Sequence, residues 1–110
     1  MDLEYLTEDY AVTGQIKPED LAVLKGQGFN TVLCHRPDHE GEGQPEFSEI
    51  AAAAEALGMK AAYLPVAIPQ GATEEDHAAY RDALAVTQGP VLAYCKGGGR
   101  AKNMWKAAQG

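Results

Sequence analysis

An α/β sandwich around a mainly parallel sheet is the fold this sequence predicts. Three observations carry it. Short apolar, β-branched runs alternate with stretches whose apolar residues recur at helical spacing. Glycine and proline punctuate the boundaries. At 110 residues, 45% hydrophobic and 23% charged, the chain has the size and composition of one soluble globular domain.

The elements follow in order. Tyr10 to Thr13 reads as an edge strand. Pro18 suits a first helical position, and Leu21 and Leu24 share a face of a helix that stops at Gly28. Thr31 to Cys34 (TVLC) is a buried strand. Phe47, Ile50, Ala54 and Leu57 form a helical stripe that ends at Gly58. Ala61 to Val66 is the next strand. Thr73 to Asp76 (TEED) forms a capping box with Asp in place of Glu, and His77, Tyr80 and Leu84 follow at helical spacing up to Gly89-Pro90. Pro90 to Tyr94 is the last strand, and a final helix starts near Arg100 and runs through Met104 and Trp105. The order β-α-β-α-β-α-β-α gives a single three-layer domain over residues 1–110. Trp105, Met104 and the tyrosines read as packing residues, with Tyr5 or Tyr10 placed to cover a pocket mouth.

Charge narrows the partners. The net charge is -7, from 9 Lys+Arg against 16 Asp+Glu. This argues against nucleic acid or an anionic membrane as a partner. No apolar run reaches the roughly 20 residues of a membrane span, and the acidic N-terminus is no signal peptide. Two cysteines, Cys34 and Cys95, are too few for a disulfide framework, so a cytoplasmic location is expected. All 16 acids lie in residues 1–82, whereas Lys96, Arg100, Lys102 and Lys106 lie in an acid-free tail. Only that tail favours an anion.

Ligands of such sheets lie beyond the carboxyl ends of the strands. One segment there reads Cys95-Lys96-Gly97-Gly98-Gly99-Arg100, between a buried strand and a helix. Gly97, Gly98 and Gly99 let the backbone curl with N–H groups inward, and Lys96 adds charge. A helix N-terminus faces the same point, which binds anions and favours thiolate over thiol at Cys95. Arg100 supplies a planar fork suited to a tetrahedral oxyanion. Nucleophile, donors and cation are the parts that nucleophilic catalysis on an oxyanion needs.

The stretch from VTGQ (Val12–Gln15) through RPD (Arg36–Asp38), QP (Gln44–Pro45) and YLPV (Tyr63–Val66), with VLAYC before the loop and MW at the end, resembles the phosphatase-like domain of the β-lactamase-hydrolase-like proteins. These are small bacterial relatives of dual-specificity phosphatases, also labelled sulfurtransferases. The resemblance covers nearly the whole chain. It implies a cysteine-phosphatase-like fold with the Cys95 loop as phosphate-binding loop. Some relatives carry a metallo-hydrolase domain afterwards, and none is expected here.

Departures from the pattern shape the expected chemistry. Tyrosine phosphatases have His before the nucleophile and five residues between Cys and Arg. This chain has Tyr94 and four, Lys96 to Gly99, the loop length of rhodanese-like sulfurtransferases. The family's loop hydroxyls are replaced by Gly97, Gly99 and Ala101. Phosphatases place an Asp general acid after the strand holding YLPV, but Ala67 to Ala72 contains no acid. Asp38 is the substitute candidate, its alternative role being an Asx turn or an ion pair with Arg36. Glu74 to Asp76 reads as a helix cap.

Cys34 ends the strand placed beside the Cys95 strand, and some cysteine phosphatases trap an oxidised nucleophile with such a thiol. Strand pleat decides whether Cys34 is that redox partner or a buried packing thiol. His35-Arg36-Pro37-Asp38-His39 shares only its last residues with the HxHxDH of metallo-hydrolases, so no metal is expected. His35 and His39 read as polar loop residues and His77 as half-buried. No cofactor is implied. The expected function is hydrolysis of a small phosphate monoester through Cys95, with poor turnover. The alternatives are persulfide transfer through the same residue on a sulfur-containing substrate, and a non-catalytic phosphate- or sulfate-binding module.

Overall fold

The computed structural model describes residues 1–109. Two short strands open the chain, β1 (Glu4–Thr7) and β2 (Tyr10–Thr13). Helix α1 (Asp20–Gly26), β3 (Thr31–Cys34), α2 (Phe47–Ala56) and β4 (Lys60–Tyr63) follow, then α3 (Glu74–Ala85), β5 (Val91–Tyr94) and α4 (Gly99–Gln109). The sheet order is β1-β2-β5-β3-β4. Only β1 is antiparallel to its neighbour.

The expected mainly parallel sheet is therefore present, with two changes. Tyr10–Thr13 is not an edge: it lies between β5 and a strand, β1, whose exposed EYLT sequence gives no apolar run to detect. Strand β4 ends at Tyr63; Leu64 N–H still makes a ladder bond to the Cys34 carbonyl at 2.8 Å, and Val66 N–H then donates to the His35 carbonyl at 2.9 Å.

Alternation along β3 and β5 divides the core into two layers. Val32, Cys34, Leu92 and Tyr94 face α1 and α2, where Leu21, Leu24, Ile50 and Ala54 are buried. Leu33, Val91, Ala93 and Cys95 face α3 and α4, where Tyr80, Ala101 and Met104 are buried. The capping box of α3 forms as expected: Thr73 Oγ1 accepts from Asp76 N–H at 3.1 Å, and Asp76 accepts from Thr73 N–H at 3.0 Å. Tyr10 does not cover a pocket. Its hydroxyl lies 2.6 Å from that of Tyr80 inside the second layer. Tyr5 stacks on Phe29 instead. Among the described residues, no helix is long and apolar enough to cross a membrane.

The last strand in sequence, β5, is the central one. Its carboxyl end is flanked by the segments that leave β2 and β3, and the Cys95 loop starts there.

Candidate active site

Cys95 follows β5 directly and is buried, whereas Lys96 and Gly97 are exposed. The loop turns back at Gly98, whose φ of 95° belongs to the left-handed region that glycine enters without strain. That turn aims the Gly98 N–H at Cys95 Sγ, 3.0 Å away. Helix α4 starts at Gly99, so Arg100 lies in its first turn.

The segment after β2 fixes the other side of the loop. Cys95 N–H donates to the Thr13 carbonyl at 3.4 Å, and Gln15 N–H donates to the Lys96 carbonyl at 3.2 Å. A Cβ on Gly14 would stand 2.8 Å from the Lys96 oxygen, so only glycine permits this approach. The VTGQ motif is thus a seat for the loop.

Arg100 is held by a residue that the sequence reading passed over. Glu40 accepts from Arg100 Nη1 and Nη2 at 2.7 and 2.6 Å, and from Arg36 Nε at 3.1 Å. Arg100 Nη1 also donates to the Val66 carbonyl at 2.8 Å. Arg36 is buried, and its Nη1 donates to Gln15 Oε1 at 3.1 Å. Hydrogen bonding to Arg100, reinforced by Arg36, holds the Glu40 carboxyl below the usual carboxylate range. Arg100 is held more firmly charged by Glu40 and, less strongly, by the sulfur of Cys95. The one signal for Glu40 in the sequence is its position four residues after Arg36.

The remaining candidates fall as follows. Asp38 does not pair with Arg36. Its Oδ1 accepts from Phe47 N–H at 2.7 Å, at the start of α2, and its own N–H donates to the Tyr63 hydroxyl at 2.9 Å. It is a clamp on the 35–46 segment, engaged away from the thiol. Cys34 pairs in register with Tyr94, so its side chain and that of Cys95 leave opposite faces of the sheet. The pleat does not bring the two thiols together. Cys34 Sγ donates to the Arg36 carbonyl at 3.2 Å, and burial pushes its thiol up.

His35 is no surface loop residue. It is fully buried on the Cys95 face, with its ring centroid 5.5 Å from that of Tyr80. Its Nδ1 lies 2.9 Å from the Leu64 carbonyl, so the proton sits on Nδ1 and Nε2 is left without a partner. Burial, with a smaller push from Arg100, lowers its basicity. His39 is exposed and takes a left-handed φ of 62°. His77 is half-buried on α3. Among the described residues, no three His, Cys, Asp or Glu side chains are grouped to hold a metal ion. A cavity of about 580 Å³ opens on the β2 side of the loop, between Thr13, Lys96, Lys102 and Glu4. Lys102 and Glu4 pair across it at 2.6 Å.

Comparison with known proteins fits this geometry. Residues 2–110 match the family described as the phosphatase-like domain of Beta-lactamase hydrolase-like protein. A Beta-lactamase hydrolase-like protein of Agrobacterium fabrum is 38% identical over 100 residues, which is 91% of this chain and 23% of the relative. One from Xylella fastidiosa is 31% identical over 109 residues, 99% of this chain and 25% of the relative. The chain therefore spans about a quarter of the length of the curated relatives it matches. Among solved structures, a protein of Neisseria meningitidis named as a candidate phosphatase superposes with a TM-score of 0.83 at 31% identity, covering 96% of this chain and 77% of that one. The catalytic core of a yeast PP-IP phosphatase shares the fold, with a TM-score of 0.66 at 13% identity over 87% of this chain and 56% of that one. With the loop, the sheet order and the motifs in agreement, the chain belongs to the phosphatase-like domain family of the beta-lactamase hydrolase-like proteins.

Proposed function

We propose that the chain hydrolyses a small phosphate monoester with Cys95 as nucleophile. The observation that carries this reading is the Gly98 N–H aimed at the Cys95 sulfur at 3.0 Å, in a loop that ends on a guanidinium, Arg100, held charged by Glu40. Both groups stabilise negative charge where an oxyanion would sit. The Cys95 thiolate attacks phosphorus and the bond to the leaving oxygen breaks. Water then attacks the phosphocysteine and releases phosphate and the thiolate. The leaving oxygen takes its proton from water, because the carboxylates nearby are engaged: Glu40 by two arginines and Asp38 by α2. Two free, buried cysteines are in keeping with a reducing, cytoplasmic setting.

Persulfide transfer is the second reading, and the four-residue spacing between Cys95 and Arg100 favours it. A donor such as thiosulfate would pass its outer sulfur to Cys95 as its S–S bond breaks. Sulfite leaves without needing a proton, so the lack of a free acid costs nothing in that reaction. A thiophile such as cyanide then takes the sulfur and frees the thiolate. The test is a matched assay of aryl phosphate hydrolysis and thiosulfate-to-cyanide transfer on wild type and Cys95→Ser. Activity lost in the variant supports whichever reaction it accompanies. Activity unchanged in Cys95→Ser removes both readings, and a folded wild type inert in both assays leaves the non-catalytic anion-binding module.

A further inference from the structure

Three polar segments meet around the loop, and together they form a ring. It starts at the loop's second residue, where Gln15 N–H donates to the Lys96 carbonyl at 3.2 Å. The Gln15 side chain accepts from Arg36 Nη1 at 3.1 Å, and Arg36 Nε donates to Glu40 at 3.1 Å. Glu40 accepts from Arg100, which closes the loop's far end. Two residues from different parts of the chain, Gln15 and Glu40, thus tie Lys96, next to the thiol, and Arg100, at the far end of the loop, to the same buried guanidinium.

The donor count on Arg100 shows what the ring does. A guanidinium has five N–H groups in a fixed fork. Nη1 gives both of its hydrogens, one to Glu40 and one to the Val66 carbonyl. Nη2 gives one to Glu40. The N–H of Nε and the second N–H of Nη2 remain, and these lie side by side along one edge. That edge is a bidentate oxyanion site, and the end-on contact with Glu40 dictates which way it faces. Glu40 takes the guanidinium end-on, through Nη1 and Nη2, and so leaves the Nε edge to another acceptor.

We propose that Glu40 is a positioning residue, which together with Arg36 and Gln15 holds the side-on edge of Arg100 ready for the oxyanion at Cys95. The inference rests on the reading that this loop takes an oxyanion, and not on which reaction follows. Without the carboxylate, two guanidiniums would face each other with like charge, and Arg100 would swing away. Gly41 belongs to the same device. A Cβ there would stand 2.5 Å from Arg36 Nη2, so glycine makes room for the guanidinium.

The test reads anion binding without turnover. Iodoacetamide alkylation of Cys95 is followed while sulfate is titrated in as protecting ion, for wild type, Glu40→Gln, Glu40→Asp and Gly41→Ala. Glu40→Gln is expected to raise the sulfate concentration for half-protection by roughly tenfold or more. Glu40→Asp should recover part of that loss. Gly41→Ala displaces only the far end of the Arg36 side chain, so it keeps the fold and should weaken protection by about threefold. If Glu40→Gln does not fold, Gly41→Ala decides by itself. Unchanged protection in the folded variants overturns the inference. Tighter protection overturns it too, since Glu40 would then be a competitor for Arg100. Sulfate protection that depends on Glu40 in a protein inert toward phosphate esters and thiosulfate would remove the proposed reactions and leave this inference standing.

Discussion

Replacing Gly14 by alanine should damage the site from a position that touches no substrate. The new Cβ would lie 2.8 Å from the Lys96 carbonyl oxygen and 3.5 Å from Gly97 Cα. The first of these is backbone, so no side chain can swing aside. To reach an ordinary contact the loop must retreat by about half an ångström. It then weakens the Gln15 N–H bond to Lys96, already 3.2 Å long. Inserting one methyl into a tight contact costs roughly 1–3 kcal/mol. For a domain of this size each kcal/mol lowers the melting temperature by about 4–8 °C. The expected result is a melting point lower by roughly 5–20 °C. Cys95 alkylation should also change, since the Gly98 N–H rides on the same loop. Calorimetry or a circular-dichroism melt reads the first effect and an iodoacetamide time course the second. A variant that melts within about 2 °C of wild type, with unaltered alkylation, would refute the claim that glycine is required here.

Other outcomes follow from the same geometry. With no carboxyl free to protonate the leaving group, aryl phosphates should turn over at least about 100-fold faster than alkyl phosphates, and equal rates would mean that Asp38 or Glu40 is released during turnover. Mild peroxide should give no intramolecular Cys34–Cys95 disulfide, because the two side chains leave opposite faces of the sheet; non-reducing peptide mapping checks it. His35 binds a proton less readily in the fold than in the unfolded chain, whose His titrates near 6.5. Below that pH the unfolded state gains a proton that the buried ring resists, so stability should fall from about pH 7 to pH 5. His35→Asn keeps a donor for the Leu64 carbonyl and should flatten that slope; an unchanged slope in urea melts across the same range would assign the effect elsewhere.

What could be read from the residues was whatever is local. The helical stripes through Leu21 and Leu24, through Ile50 and Ala54, and through Tyr80 fall on buried faces. The Cys95 loop was legible because strand, glycines and helix start are contiguous. β1 was hidden, since its four residues are mostly exposed and owe their conformation to pairing with β2. Glu40 was hidden for another reason. Asp38 and Glu40 both lie near Arg36 in sequence, and the chain's turn selects between them. His39 takes φ 62°, a position that usually calls for glycine or asparagine. Across that turn Asp38 meets α2, while Glu40 meets the two arginines. His35 and Cys34 depended on register. Only the pairing of Cys34 with Tyr94 tells which of the two shares a face with Cys95.

The central place of β5 has a consequence for how the site comes into being. Val91 pairs with Tyr10 on one side and with Thr31 on the other, so one strand closes chain loops of about 80 and 60 residues at once. Closing such loops is slow, and no contact rewards it until the whole strand is seated. Until then β1–β2 and β3–β4 are two small ribbons with nothing between them. The residues that meet at the thiol come from segments after β2, β3, β4 and β5, so they assemble in the same event. A chain that has not yet released residues 91–94 lacks both the strand that joins the two ribbons and the loop that follows it. Cys95 and Arg100, which follow the same strand, therefore reach their folded places together once β5 is seated.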